Sequence, residues 1–164
     1  MPRTPLKILV INPGTRYLGI ALLEEGELLD WEVKVVKGKW SKRKQEKVIS
    51  IVSELIEQFR PEAVAMKKLH PSRASRNLTR LVDRIVGLVR KKNLKLCCYS
   101  IGELESFFSP HEKTNRHKLG DLVASAYPVL CHELEKERSL KNPYRIRMFE
   151  AVALAAVCFR QLER

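Results

Sequence analysis

Apolar residues in this chain first come in short dense runs broken by turn residues, then recur at every third or fourth position over longer stretches. Ile8-Leu9-Val10-Ile11 and Leu18-Gly19-Ile20-Ala21-Leu22-Leu23 are split by Asn12-Pro13-Gly14-Thr15-Arg16. Gly26 marks a second tight connection, after which Leu28, Trp31, Val33, Val35 and Val36 continue. The pattern predicts three strands in an antiparallel meander. Beyond a basic loop, Val48, Ile49, Val52, Leu55, Ile56 and Phe59 fall at helical spacing and predict an amphipathic helix that ends before Pro61. Ala63-Val64-Ala65-Met66 is almost wholly apolar, as a central parallel strand buried on both faces should be. Leu78, Leu81, Val82, Ile85, Leu88 and Val89 then share one face of a second helix, and Leu94 to Tyr99 reads as a fifth strand. The remainder is helical: a short piece near Ile101 to Phe108, a longer one through Leu119 to Leu134 kinked at Pro128, and a closing helix from Arg145 to Leu162. The succession βββαβαβα predicts an α/β fold, a five-stranded mixed sheet with helices on both faces, in a single domain over residues 1–164.

Composition narrows the functional classes. At 164 residues, 45% hydrophobic and 30% charged, the chain is expected to fold as one soluble domain. Neither a membrane-length apolar stretch nor the apolar core of a signal peptide is present, so a cytoplasmic protein is expected. Lys and Arg number 31 against 19 acids, a net charge of +12, which favours a polyanionic partner and puts nucleic acid first. Cys97, Cys98, Cys131 and Cys158 form no C-x-x-C pair and read as small core residues, not as zinc ligands or a disulfide frame.

Three strings carry more specific information: Ile8-Leu9-Val10-Ile11-Asn12-Pro13-Gly14-Thr15-Arg16 followed by Gly19; Ala63-Val64-Ala65-Met66-Lys67-Lys68; and Arg147-Met148-Phe149-Glu150-Ala151-Val152-Ala153-Leu154-Ala155. In this order and spacing they resemble the RuvC family of Holliday junction resolvases, of the ribonuclease-H-like superfamily, over most of the chain. The resemblance implies a ribonuclease-H-like fold. In members that cut DNA it also implies two divalent cations, usually magnesium, clamping the attacking water and the departing oxygen. Their ligands are an acid ending strand one, a Glu ending strand four and two acids three residues apart on the last helix. The matching positions here are Asn12, Lys67, Arg147 and Glu150, and only Glu150 keeps a carboxylate. Formal charge at the four positions goes from about −4 to about +1, so paired magnesium ions are not expected to bind.

The expectation is therefore a vestigial site with no catalytic residue, no metal and no cofactor. Lys67 should stand in for the metal, pairing with Glu150 and hydrogen bonding Asn12. Magnesium or manganese enters only under an alternative, an active structure-selective endonuclease with a relocated or partner-completed site. Asp30, Asp83, Glu103, Glu105, Glu112 and Asp121 are the other carboxylates weighed for it, and none ends a strand aimed at the sheet centre. His70, His111, His117 and His132 read as surface residues rather than bases.

Fifteen of the 31 cations lie in two stretches, Lys37 to Lys47 and Lys67 to Lys92, which contain only the acids Glu46 and Asp83. In the first, Lys37, Lys39, Trp40, Lys42, Arg43 and Lys44 interleave an aromatic ring with cations, suited to stacking on a base beside phosphates. Trp40 as a cap on the core is the other reading. In the second, Lys68 precedes Arg73, Arg76, Arg80 and Arg84, spaced to align on one helical face along which phosphates could run. Arg116 and Lys118 add a further cationic loop. Phosphate contacts position more than they specify, so recognition of branched or structured nucleic acid is expected. The resemblance favours DNA over RNA and allows a homodimer through the helix after strand four. A protein-interaction scaffold whose basic face meets an acidic partner is the remaining alternative.

Overall fold

The computed structural model describes residues 5–70, 74–133, 135 and 143–163, with side chains for all of these but 116, 117 and 143–145. Strands β1 (Lys7–Pro13), β2 (Tyr17–Glu24), β3 (Glu27–Val35), β4 (Ala63–Lys67) and β5 (Lys95–Tyr99) form one sheet in the order β3-β2-β1-β4-β5. The meander β1–β2–β3 is antiparallel, while β4 runs parallel to both β1 and β5. The helices are α1 (Lys42–Phe59), α2 (Arg76–Lys91), α3 (Ile101–Phe108), α4 (Arg116–Ala126) and α5 (Pro143–Leu162), with a short 3₁₀ turn at Pro128–Leu130. No helix among the described residues is long and apolar enough to cross a membrane.

Alternation along the strands sorts the core into two layers. Ile8, Val10, Ala21, Leu23, Ala63 and Ala65 are buried with Leu104, Leu119, Val123, Met148 and Val152, beneath α3, α4 and α5. Leu9, Ile11, Ile20, Leu22, Val64 and Met66 are buried with Val48, Val52, Leu81, Ile85 and Val89, beneath α1 and α2. The same period of two places Asn12 and Lys67 on the α5 side, in step with Val10 and Ala65.

Three boundaries differ from expectation. Helix α1 begins at Lys42, because Ser41 is extended and its Oγ accepts a bond from Lys44 N at 3.1 Å, an N-cap that the apolar spacing does not reveal. Lys42, Arg43 and Lys44 are consequently helical and not part of a loop. The helix foreseen from Leu119 to Leu134 stops at Ala126, and Pro128 opens a separate 3₁₀ turn instead of kinking a continuous helix; Leu134 lies outside the described residues. Helix α5 begins at Pro143, where proline's missing N–H costs nothing.

Candidate functional site

The parallel strands β1 and β4 end side by side under the first half of α5. Asn12 is the penultimate residue of β1 and fully buried; Lys67 is the last of β4, and Glu150 is buried on α5. Lys67 Nζ donates to Glu150 Oε2 at 3.0 Å, with the Lys67 side chain 15% and the Glu150 side chain 3% exposed. The expected pairing is thus formed. The expected bond from Lys67 to Asn12 is not: Asn12 Nδ2 donates to Arg147 O at 3.1 Å, and its buried Oδ1 has no partner. The reason is positional, because α5 comes close enough for its backbone to take the amide hydrogen.

That close approach depends on the two glycines of the first motif. Gly19 sits opposite Asn12 in the β1–β2 register, and a Cβ there would lie 2.7 Å from Arg147 O. A Cβ on Gly14 would lie 2.8 Å from Arg147 Nη2. The Arg147 guanidinium therefore lies over the β1–β2 turn and donates through Nη1 to Pro13 O at 3.3 Å.

The resemblance to RuvC nucleases implies divalent metals, but this donor set does not fit them. A hard cation needs several anionic oxygens. Here one carboxylate is already met by an ammonium at 3.0 Å, a guanidinium lies nearby, and the spare oxygen is that of the Asn12 amide. Among the described residues no three His, Cys, Asp or Glu side chains gather to hold a metal. Of the other carboxylates, Glu103 is exposed and faces Lys68 at 3.6 Å.

No family model matches the chain, and no curated protein does. Solved structures do match. The RuvC structure from Thermus thermophilus superposes with a TM-score of 0.71 at 18% identity, covering 95% of this chain and 96% of that one. The fold is that of RuvC. T. thermophilus RuvC in complex with Holliday junction substrate gives a TM-score of 0.70 at 17% identity, covering 96% of each chain. The yeast mitochondrial Holliday junction resolvase Ydc2 gives 0.64 at 15% identity, covering 94% of this chain and 78% of that one.

On this RuvC fold the cations of interest sit mainly around α1 and α2. Lys37, Lys39, Lys42, Arg43, Arg76 and Arg80 are exposed, as is Lys118 at the start of α4. Arg73 and the side chain of Arg116 lie outside the described residues. Two residues expected on the open surface are engaged otherwise. Arg84 forms a two-pronged pair with Glu46 of α1, at 2.5 and 3.2 Å, a bond that holds the Glu46 carboxyl below its ordinary range. Lys44 is buried, donating to Gly38 O at 2.8 Å and lying 5.7 Å from the centre of the Trp40 ring. Trp40 is half-buried against the α1–α2 core, closer to the capping reading than to a free stacking platform. Arg16 closes the first motif but is not among the cations that the sequence assigns to binding, yet the fold brings it beside Lys37, since Val36 N donates to Arg16 O at 2.9 Å. Only the β2–β3 register carries that signal.

Proposed function

We propose that the chain binds branched or otherwise structured nucleic acid, DNA in preference to RNA, as a RuvC-like protein that has given up two-metal cleavage. The observation that carries this reading is the Lys67–Glu150 pair at 3.0 Å, an internal salt bridge where the resemblance calls for metal ligands. Its support on the binding side is the net charge of +12 and the cations exposed on α1 and α2. A RuvC of the same fold solved with a Holliday junction substrate supports a branched ligand. The protein acts as one domain over residues 1–164, as a subunit or architectural factor that can pair with a second copy. Its four cysteines are free, which suits the reducing cytoplasm.

The test is fluorescence anisotropy with a four-way DNA junction, a linear duplex and a neutral polymer control, followed by incubation with magnesium or manganese. Tighter, salt-sensitive binding of the junction with no cleavage is expected. Binding of both DNAs no better than the control would overturn the nucleic-acid reading. Metal-dependent cleavage that Glu150→Gln abolishes would overturn the loss of catalysis.

A further inference from the structure

On the α1–α2 side of the sheet lies a cleft of about 660 Å³. Its walls are the β1–β2 turn, the segment after β3 and the first turns of α1 and α2. Arg16 and Lys37 stand at its edge, both exposed, joined by the backbone bond between residues 36 and 16. Lys44 projects from α1, and Trp40 lines the same side. Ser75, the N-cap of α2, and Asn77 of its first turn complete it. None of the described lining residues is acidic. Glu46, two positions along from Lys44, is already taken by Arg84.

This arrangement is costly for the protein alone. Lys44 is 9% exposed, and its ammonium donates to the uncharged carbonyl of Gly38 rather than to a carboxylate. Burial, with the Arg16 charge added, holds Lys44 below the ordinary lysine range. Helix α1 opens with Lys42, Arg43 and Lys44 and no acid, at the end where the helix dipole is already positive. Helix α2 opens with Arg76, again without an acid. An anion in the cleft relieves all of these at once.

We propose that this cleft seats a phosphate group of a bound nucleic-acid strand, held by Arg16, Lys37 and Lys44 and by donors at the start of α2. The identity of the anion's carrier rests on the nucleic-acid reading above; the existence of an anion site does not. The cleft lies on the α1–α2 face of the sheet and the Lys67–Glu150 pair on the α5 face, so a phosphate held there is bound by protein cations and backbone apart from that pair.

Amide NMR titrations with inorganic pyrophosphate, and separately with a four-way DNA junction, test this in the parent and in Arg16→Gln, an exposed change that leaves the core alone. Pyrophosphate should shift the amides of residues 15–16, 37–44 and 75–77 saturably, and Arg16→Gln should weaken both ligands by about tenfold, as removing a charge-assisted hydrogen bond does. Lys44→Met, if it folds, should weaken pyrophosphate further. Shifts scattered over other cations, with Arg16→Gln equal to the parent, would overturn the cleft as a site. Pyrophosphate binding there with junction affinity indifferent to Arg16→Gln would overturn the strand phosphate while leaving nucleic-acid binding intact. Pyrophosphate binding without any junction binding would sink the nucleic-acid reading and leave an anion site for free phosphate compounds.

Discussion

At the end of β4 one side chain determines what its surroundings can do. Lys67 brings its ammonium to a carboxylate that water scarcely reaches, and removing it leaves the buried Glu150 carboxylate without its ion-pair partner. Breaking a buried pair from one side costs about 3 kcal/mol, whereas replacing both partners by apolar groups is often nearly neutral. Lys67→Met should therefore lower the denaturant midpoint far more than Lys67→Met combined with Glu150→Leu; a single variant no worse than the double would show the two groups to be uncoupled. Cys158 offers a second check at this scale. Burial pushes its thiol from an ordinary 9.0 up to about 12. Because the unfolded thiol ionises first, this group's share of stability is intact below pH 9 and is lost as pH climbs from there towards 12. Denaturation midpoints measured across that interval should fall more steeply for the parent than for Cys158→Ala, and equal slopes would remove Cys158 from the account.

Among the elements, α5 and the β1–β2 turn set each other's position through two glycines with different tolerances. A methyl at Gly19 meets the backbone carbonyl of Arg147 at 2.7 Å, which cannot yield without moving the helix, while a methyl at Gly14 meets chiefly the end of a flexible guanidinium and, less closely, the backbone oxygen of Tyr17 at 3.1 Å. Gly19→Ala should cost several times as much stability as Gly14→Ala, read by thermal denaturation; equal costs would mean that α5 is not held at Asn12. The central strands and α5 are legible in the sequence because strands buried on both faces read as short unbroken apolar runs, and these with a nearly unbroken apolar helix leave few other solutions. The start of α1 is not, since its first turn is wholly polar and only the Ser41 cap marks it. The pairing of Lys67 with Glu150 follows from residues aligned to a known arrangement. The Asn12 bond to a main-chain carbonyl does not, because it depends on how closely α5 approaches, and side-chain identity carries no measure of that distance.

Across the whole molecule, cations and their neutralising acids are unevenly shared. Arg84 looks equivalent to Arg76 and Arg80 in the sequence, but folding places Glu46 against it from 38 residues away, so one step of the arginine row is neutralised. Arg76 and Arg80 are exposed on the same helix and remain the better candidates to hold phosphates. Each duplex phosphate that the protein ceases to neutralise should lower the slope of log affinity against log salt by about 0.9. Arg76→Glu with Arg80→Glu should accordingly flatten the slope by about two such steps and weaken binding at every salt concentration, with little change in folding. Glu46→Gln acts in the opposite sense: it releases the Arg84 guanidinium, adds one unit of net positive charge and should steepen the slope. An anisotropy titration over several salt concentrations reads both. If the arginine double variant kept the parent's slope while Glu46→Gln left it unmoved, phosphates would not run along α2, and binding would have to be carried by the first turn of α1 and the β1–β2 turn alone.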